Sequence, residues 1–405
     1  MPENSYDVVI VGAGVVGLSV ALEITLRLPR LRLAVLEKES GIARHQSGHN
    51  SGVIHSGVYY KPGSLKARLC VQGAAEMIEF CRVNNVPHKI CGKLIVATTP
   101  EELPRLNDLQ QRGQSNGVAG LKLLGPEEMR ETEPHCHGVR ALLVPGTGIT
   151  DYTMVCQKYA GRAAAQGASI NTDIRVMGFR RDRANTMIET TRGTFVAGYV
   201  INCAGLHSDR VARMAGYDPD VRIVPFRGEY YDLAPQREGL VRSLIYPVPD
   251  PRFPFLGVHF TTRVHGGVDA GPNAVLAFKR EGYRHRDLSP KDLLSTFTYP
   301  GFWRMAGKYW RSGLAEFYRS LSKHAFVTAL QKLVPEVNDS DLLPGGSGVR
   351  AQAVARDGSL LDDFHFVQAE KMLHVLNVPS PAATSSLPIG RAIVDMAEKG
   401  GLGAS

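Results

Sequence analysis

The sequence predicts an α/β protein of two domains: a Rossmann-type nucleotide-binding domain and a second α+β domain on a mixed, largely antiparallel sheet. A glycine-rich strand–helix–strand unit opens the chain, and a strand, a loop and a helix close it. Between them, residues 221–279 are mostly strand-like, with Pro and Gly turns. The 405 residues suffice for two cores.

The opening unit is a βαβ motif. Residues 7–11 form a continuous apolar run, as expected of a parallel strand that is buried on both faces. Residues 15–28 then have helical character, and the helix stops at Pro29. Residues 31–36 resume the strand pattern and end at Glu37.

The turn between the first strand and the helix is a G-x-G-x-x-G sequence formed by Gly12, Gly14 and Gly17. The first glycine permits the tight turn, the second lets the backbone approach a pyrophosphate, and the third lets helix and strand pack closely. The helix N-terminus then presents N–H groups to the phosphates. Glu37, twenty residues after Gly17, stands where an acidic side chain accepts ribose hydroxyls.

The identity of the dinucleotide stays open at this point. An acidic residue at position 37 disfavours the 2′-phosphate of NADP, which leaves FAD and NAD. The N-terminal location and the buried strand 195–201, which runs into the small-residue turn 202–205, favour FAD. The same segment is equally well explained as an ordinary buried strand.

Further elements follow in order along the chain. The segment 41–63 is rich in Gly, Ser, His and Asn and is predicted to be a functional loop. Helices are expected at 71–83, 152–165, 300–334 and about 384–399, and strands at 195–201 and 373–378. We expect a discontinuous nucleotide-binding domain of residues 1–87, 149–220 and 340–405, and a substrate domain of residues 88–148 and 221–339.

Bulk properties narrow the class of protein. The formal charge of +8 can attract nucleic acid, anionic lipid or an acidic metabolite, and charge alone does not choose between them. The six cysteines show no metal-ligand spacing and indicate free thiols in a reducing compartment. No signal peptide is visible before the first strand, so we expect a cytoplasmic protein or one that begins after a removed targeting segment.

The loop 44–60, with the sequence RHQSGHNSGVIHSGVYY, identifies the family. It resembles, nearly residue for residue, the flavin-facing loop of the L-2-hydroxyglutarate dehydrogenases, within the D-amino-acid-oxidase-like superfamily of FAD-dependent oxidoreductases. The resemblance runs along the whole chain. It also covers residues 91–96, 223–228, 245–250, 271–283, 348–352 and 379–386.

The resemblance implies an enzyme that converts L-2-hydroxyglutarate to 2-oxoglutarate by hydride transfer from C2 to flavin N5. Electrons would then pass to an acceptor other than oxygen, a quinone or an electron-transfer-flavoprotein type of partner. It also implies a mitochondrial, inner-membrane-associated enzyme if the source is eukaryotic, with the targeting segment absent from this chain. A bacterial form would act at the cytoplasmic face of the inner membrane.

Oxidation of a secondary alcohol needs a base for the hydroxyl proton, and His55 is the first candidate. A neutral histidine titrates near working pH, and His55 lies in the loop expected beside the flavin. A hydrogen bond from His55 to the flavin or to the loop backbone is an equally good explanation. His259, on a predicted strand, is the second candidate, although a buried, hydrogen-bonded histidine is the commoner case there. No metal is expected.

A dicarboxylate substrate needs two cationic or hydroxyl-rich anchors. Arg350 matches the arginine of a Gly-x-Arg-Pro segment that binds the substrate carboxylate in the superfamily, although Ala351 stands here in place of the proline. Tyr60, Lys61 and Lys279 are candidates for the distal carboxylate, and Thr384 and Ser385 are further substrate-binding candidates.

Predicted cofactor-binding residues come from the fingerprint, the loop and the start of the last helix. Backbone N–H groups near residue 384 could stabilise negative charge on the flavin N1/O2 edge, or Thr384 and Ser385 could simply cap that helix. The full set is Gly12, Gly14, Val15, Val16, Gly17, Glu37, Lys38, Gln46, Ser47, His49, Asn50, Ser51, Gly52, Val176, Ala204, Gly205, Pro381, Ala382, Ala383, Thr384 and Ser385.

Residues 302–333 interleave cations with aromatic side chains, including both tryptophans. Such a segment suits a helix lying on anionic lipid, a nucleic-acid surface or plain packing onto the second domain. We hold peripheral membrane contact as the hypothesis.

The rival functions are a flavin enzyme that acts on an amine or glycerol 3-phosphate, a flavin enzyme that modifies RNA, and a non-catalytic nucleotide-binding scaffold. No nucleic-acid module is recognisable, so nucleic acid is not an expected partner.

Overall fold

The computed structural model describes residues 4–182, 185–250 and 256–403. It contains two large sheets, with helices packed around them, and a third, small sheet. Elements are numbered here in chain order. The fold class is the predicted one, with one largely parallel and one largely antiparallel sheet.

The first sheet has a parallel centre. Its strands are β1 (Ser5–Val11), β2 (Leu33–Leu36), β9 (Ser169–Asn171), β10 (Val176–Asp182), β11 (Asn185–Thr190), β12 (Gly193–Asn202), β19 (His365–Ala369) and β20 (Met372–Asn377). Strands β20, β12, β1, β2 and β9 run parallel in that order. The hairpin β10–β11 joins antiparallel to the first half of β12, and β19 pairs antiparallel with β20.

Four helices cover one face of this sheet. They are α1 (Val15–Arg27), α2 (Leu65–Val83), α5 (Tyr152–Ala165) and α10 (Ser386–Lys399). Their apolar faces bury one continuous core with the inward side chains of β1, β2 and β20, including Leu18, Met77, Tyr159 and Ile393. On the opposite face lies the short α6 (Ser208–Met214), which begins soon after β12 ends.

The second sheet is mostly antiparallel. Its strands are β5 (Lys93–Ala97), β6 (Lys122–Leu124), β7 (Arg140–Val144), β13 (Val221–Leu233), β14 (Leu244–Pro247), β15 (His259–Thr262), β16 (Val268–Gly271), β17 (Val275–Leu276) and β18 (Leu342–Ala355). Within this sheet, β5 and β14 are the one parallel pair among the described strands. A third sheet holds β3 (Val53–Ile54), β4 (His88–Ile90) and β8 (Gly148–Thr150).

Helices cover both faces of the second sheet. They are α3 (Leu103–Ser115), α4 (Pro126–Thr132), α7 (Pro290–Phe297), α8 (Pro300–Leu321) and α9 (Lys323–Leu330). Leu106 and Leu109 of α3 pack on Ile95 and Ala97, whereas α9 packs on the side chains that face the other way along β5. Lys93, two residues before Ile95 on β5, therefore points to the α3 side of the sheet.

Strand β18 lies in the second sheet, although the expected limits gave residues 340–405 to the nucleotide-binding domain. It hydrogen-bonds antiparallel to β13 over nearly its whole length, from Leu342 opposite Leu233 to Ala355 opposite Val221. We therefore propose that β18 belongs to the substrate domain and that the last nucleotide-binding segment starts after it.

Candidate active site

The glycines of the fingerprint make room for a dinucleotide. Gly12 has a φ of +107°, and an added Cβ there would lie 2.5 Å from the carbonyl oxygen of Cys203. A Cβ on Gly17 would lie 2.0 Å from the Gly12 carbonyl oxygen. The start of α1 is therefore packed so closely against β1 and the end of β12 that only glycine fits.

Beside these glycines opens a cleft of about 360 Å³, the nucleotide cleft. Its lining brings together the ends of β1, β2 and β12 and the hairpin that begins with β10. The predicted cofactor residues in this lining are Gly12, Gly14, Glu37, Lys38, Gln46, Ser47, Val176, Ala204 and Gly205. Strands that are distant in sequence thus converge on one elongated site.

Glu37 is held in a defined orientation at the end of β2. One carboxylate oxygen accepts the backbone N–H of Ala13 at 2.9 Å, and the other accepts that of Glu39 at 3.0 Å. A carboxylate fixed at this edge of a parallel sheet suits the ribose hydroxyls of a dinucleotide.

A group of charged side chains closes the nucleotide cleft. Lys38 forms ion pairs with Glu39 and Glu281, and His207 binds the Glu281 carboxylate at 2.8 Å. Burial alone would raise the pKa of Glu281, but His207 and Lys38 outweigh it and hold that pKa well below its usual range. His45, Glu39 and Glu281 could also share a metal ion, yet the Lys38 ammonium already lies among these acids. This group ties the loop after β17 to the first sheet.

A second cleft, of about 230 Å³, lies between the two sheets and is called the interdomain cleft. It meets the nucleotide cleft at Gln46 and Ser47, which line both. The predicted residues that line it are Val15, Gln46, Ser47, His49, Asn50, Ser51, His55, Arg350, Pro381, Ala382, Ala383 and Thr384. One ligand could therefore run from Glu37 to the loop before α10.

His55 lines the interdomain cleft from the loop after β3. Its backbone N–H donates to Thr384 Oγ1 at 3.1 Å, and its Nε2 lies 3.3 Å from Ser380 Oγ. Its Nδ1 is buried and has no hydrogen-bond partner among the described residues. Burial, followed by the charge of Lys93, holds the pKa of His55 well below its usual value, so the ring is neutral at pH 7.

His259 lies behind the cleft and does not line it. Its ring stacks on Tyr246 with centroids 3.7 Å apart, and its Nδ1 is 2.9 Å from the carbonyl oxygen of Gly257. Burial lowers its pKa to about 3. This environment is that of a buried, hydrogen-bonded histidine, the commoner case for a histidine on a strand.

Arg350 enters the interdomain cleft from β18. Its side chain is exposed to the cleft although the residue lies deep in the protein, where burial lowers the pKa of its guanidinium. Tyr230, on the paired strand β13, lines the same cleft. A guanidinium that faces a cleft in this way is suited to bind a carboxylate ligand.

The other predicted substrate residues lie in three different environments. Thr384 and Ser385 are buried beside the cleft, and Thr384 Oγ1 is 3.0 Å from the Tyr152 hydroxyl. Tyr60 packs under Lys66, whose ammonium is 5.0 Å from the ring centroid. Lys61 is exposed and Lys279 half-buried, and neither lines the nucleotide cleft or the interdomain cleft.

Four predicted cofactor residues line neither cleft: Val16, Gly17, Gly52 and the buried Ser385. Val16 and Gly17 sit inside the first turn of α1 and contribute to its packing. Gly52, with a φ of +68°, lines a shallower side cleft together with Asp151. Their roles in cofactor binding stay predictions.

Sequence reasoning missed Lys93, Tyr59 and Tyr246. Lys93 is only 1 % exposed, and its ammonium lies 4.1 Å from the ring centroid of Tyr246 and 5.2 Å from that of Tyr59. The sequence does carry a signal for Lys93, because it is a lysine at the first position of an apolar strand, in Cys91-Gly92-Lys93-Leu94. Lysine is almost never fully buried without a reason.

FAD fits these residues. The close glycine packing leaves the start of α1 open to a pyrophosphate, and the two joined clefts give an elongated site that ends at the N-terminus of α10. The acidic residue at one end and the neutral loop 381–384 at the other match the ribose and the ring system of such a ligand. Fold and site together define an FAD-dependent oxidoreductase.

Comparison with known proteins agrees with that class. The profile of the DAO family, described as FAD dependent oxidoreductase, matches residues 7–396, so the chain belongs to this family and uses FAD. A structure of L-α-glycerophosphate oxidase from Mycoplasma pneumoniae with FAD bound has a TM-score of 0.79 at 23% identity, covering 97% of this chain and 95% of that one. Glycine oxidase from Geobacillus kaustophilus gives 0.72 at 20%, with 98% and 95% covered.

Closer relatives narrow the assignment, and the chain is a member of the L-2-hydroxyglutarate dehydrogenase family. It is 50% identical over 395 residues to L-2-hydroxyglutarate dehydrogenase from Indibacter alkaliphilus, covering 97% of this chain and 99% of that protein. It is 48% identical over 409 residues to the human protein named L-2-hydroxyglutarate dehydrogenase, mitochondrial, with 97% and 88% covered. These matches confirm the family that the loop 44–60 predicted.

Proposed function

We propose that the protein oxidises L-2-hydroxyglutarate to 2-oxoglutarate and passes the electrons to an acceptor other than oxygen. The observation that carries the proposal is that Arg350 and His55 line the same cleft, which continues into the nucleotide cleft. The activity named for relatives at 46–50% identity over nearly the whole chain supports the substrate. When bound, FAD supplies N5 as the acceptor for the hydride from C2.

Arg350 would bind the C1 carboxylate and fix the orientation of C2. Its planar guanidinium can form two parallel hydrogen bonds to a carboxylate, which restricts rotation of the ligand. Because burial already lowers the pKa of this guanidinium, its interaction with a bound carboxylate would be screened less than at the open surface. Positioning of this kind accounts for a large share of the rate in reactions between two bound groups.

His55 would take the hydroxyl proton at Nε2, the ring atom that lies towards Ser380. The free ring is neutral because burial and nearby cations disfavour its protonated form, so it is ready to accept a proton. A bound dianion offsets those cations and raises the basicity of the ring. Thr384, by accepting the backbone N–H of His55, ties its loop to the start of α10.

The first experiment adds L-2-hydroxyglutarate without air to the flavin-loaded protein and follows flavin absorbance, with D-2-hydroxyglutarate as the matched control. We expect bleaching by the L isomer alone. If neither isomer bleaches a flavin that dithionite reduces, the substrate assignment is wrong, and amines and glycerol 3-phosphate are tested next.

A quinone is the acceptor that we propose, and an apolar cleft supports it. This cleft, of about 190 Å³, lies under α8 and is lined by Phe302, Met305, Ala306 and Trp310, among others. Phe226 and Ala274 line both this cleft and the interdomain cleft, so an apolar acceptor could approach the cofactor site there. An electron-transfer-flavoprotein type of partner is the alternative.

Ala306→Phe tests the quinone site by filling the apolar cleft. We expect anaerobic flavin reduction by substrate to keep its rate, while reoxidation by a water-soluble short-chain quinone slows. Equal reoxidation rates in variant and wild type would place the acceptor elsewhere.

Helix α8 also supports the proposed contact with a membrane surface. Trp303, Leu314, Tyr318 and Leu321 are each more than half exposed, and cations lie between them on the same helix. No helix in the described part of the chain is both long and apolar enough to cross a membrane. We therefore propose peripheral binding, at the mitochondrial inner membrane in a eukaryote or at the cytoplasmic face of the bacterial inner membrane.

Co-sedimentation with cardiolipin-containing vesicles tests this binding. Leu314→Glu should reduce the bound fraction, whereas Leu26→Glu, at an exposed position of α1, should not. Wild-type protein that stays in the supernatant would contradict membrane contact.

A further inference from the structure

Lys93 is a charged side chain in an unusual place. It begins β5 in the middle of the second sheet, between β14 and β7, and is 1 % exposed. Within the described residues, its ammonium has no carboxylate partner and no hydrogen-bond acceptor; its contacts are with the ring faces of Tyr246 and Tyr59. Burying an ammonium without an anion is unfavourable, so an anion bound beside Lys93 would stabilise its charged form.

The neighbourhood of Lys93 is positively charged. Lys93 and Arg350 both lie close enough to His55 and to His259 to lower the pKa of each imidazole. Burial lowers the pKa of Lys93 itself to about 7, so its charge is only weakly held in the absence of an anion. Two cations around the same two neutral rings form a site for a ligand with two negative charges.

An unused hydroxyl stands beside the ammonium. Tyr59 Oη is buried and has no hydrogen-bond partner among the described residues, and the Tyr59 ring is the one 5.2 Å from Lys93 Nζ. Buried hydroxyls are nearly always hydrogen-bonded in the working state of a protein. A carboxylate placed between the two groups would satisfy both of them.

We propose that Lys93, assisted by the Tyr59 hydroxyl, binds the distal carboxylate of the substrate and thereby restricts the enzyme to dicarboxylates. This inference rests on the proposed function, since it assigns the second carboxylate of the same ligand. It replaces Lys61 and Lys279 as anchors for that group, because Lys61 is exposed and neither is among the cations whose charge acts on His55, whereas Lys93 is.

The test compares ligands that differ only in the distal carboxylate. Glutarate and pentanoate are titrated into the flavin-loaded protein, with binding followed by the perturbation of flavin absorbance. L-2-hydroxyglutarate and L-2-hydroxypentanoate are compared as substrates by kcat/KM. The variants are Lys93→Met, which keeps the stem over the tyrosine rings, Lys93→Arg, which restores a charge, and Lys89→Gln, a control at an exposed lysine on β4.

Lys93→Met should weaken glutarate binding by at least about 30-fold, the usual effect of removing one partner of an enclosed ion pair. Pentanoate binding and kcat/KM for L-2-hydroxypentanoate should stay the same or improve. Lys93→Arg should recover part of the glutarate affinity, and Lys89→Gln should match wild type.

Equal losses for both ligands in Lys93→Met would overturn the inference and indicate a role in positioning or proton transfer. Two further outcomes would overturn the inference even if Lys93→Met does not fold. The first is wild-type protein that binds glutarate no better than pentanoate. The second is a Lys93→Arg variant whose preference for glutarate over pentanoate is unchanged. A wild type that binds glutarate selectively but does not oxidise L-2-hydroxyglutarate would instead contradict the proposed function alone.

Discussion

Arg350 and His55 reach the interdomain cleft from opposite sides, one from a strand of the second sheet and the other from the loop after β3. Burial lowers the pKa of both side chains, so the charge state of each depends strongly on its neighbours. The chemistry of the site is therefore sensitive to single substitutions at either residue.

Arg350→Met should lower kcat/KM for L-2-hydroxyglutarate by about 10²–10³-fold, because it removes the cation that faces the C1 carboxylate. Flavin content should not change, which absorbance of the purified protein will show. Arg237→Met, which removes an arginine that pairs with Asp341 at the far end of β18, is the matched control. A loss of less than threefold would move the carboxylate site elsewhere.

His55→Asn should reduce kcat by about 10²–10⁴-fold, the usual contribution of a positioned base. His259→Asn should reduce kcat much less and chiefly lower the thermal midpoint, since His259 packs on Tyr246 behind the cleft. Steady-state kinetics with both variants distinguishes the two histidines. A reversed order would make His259 the base.

At the scale of elements, the first turn of α1 leaves no room for a side chain at Gly17. Gly17→Ala would place a Cβ 2.0 Å from the Gly12 carbonyl oxygen, so the helix must move away from β1. We expect the variant to be purified without flavin and with a lower thermal midpoint. Gly161→Ala, on α5 with open space around the new Cβ, should stay yellow and as stable as wild type. A yellow Gly17→Ala protein would show that the turn adapts.

Elements with strong local patterns were predictable from the sequence. The βαβ unit was expected at residues 7–36 and lies at Ser5–Leu36, and the helix expected at 152–165 lies at Tyr152–Ala165. The nucleotide cleft was predictable from the same unit, because the glycine spacing and the acidic residue after β2 are local features of the sequence.

Pairing between distant strands was not predictable in the same way. Strand β18 carries Arg350 and looks like any late strand in the sequence, but its partner β13 lies more than a hundred residues earlier. Lys93 was missed for a related reason: its burial depends on Tyr59 and Tyr246, which are remote in sequence and meet it only through the fold.

At the scale of the whole molecule, a buried ion pair joins the two sheets. Arg280, in the loop after β17, forms a bidentate pair with Asp209 of α6, with Nη2 and Oδ2 2.9 Å apart. Both side chains are at most 2 % exposed. Asp209→Asn should lower the free energy of unfolding by about 3–5 kcal/mol, because it leaves a guanidinium buried without its anion. Urea denaturation measures the change, with Asp218→Asn at an exposed pair as the control.

The same pair makes stability depend on acid. Burial alone would raise the pKa of Asp209, but Arg280 and Arg213 outweigh it and lower that pKa to about 2. An unfolded chain has a pKa of about 3.9 at this residue, so it binds more protons than the folded protein between these values. The contribution, about 2–3 kcal/mol, is complete above the unfolded pKa and is lost as the pH falls towards 2.

Urea denaturation at pH 5 and at pH 3 tests this acid dependence. The loss of stability between the two should be smaller for Asp209→Asn than for wild type. Equal losses would assign the acid sensitivity to other carboxyl groups.

The packing of α10 against α1 has a consequence for biosynthesis. Arg27 of α1 pairs with Asp395 and Glu398 of α10, and Gly390 lies against the backbone of Ser19. A ribosome makes α1 almost at the outset and α10 only after both sheets, so the part of α1 that packs on α10 stays uncovered during most of translation. Since residues 381–384 also line the interdomain cleft, a nascent chain interrupted before them can complete neither its first core nor this cleft.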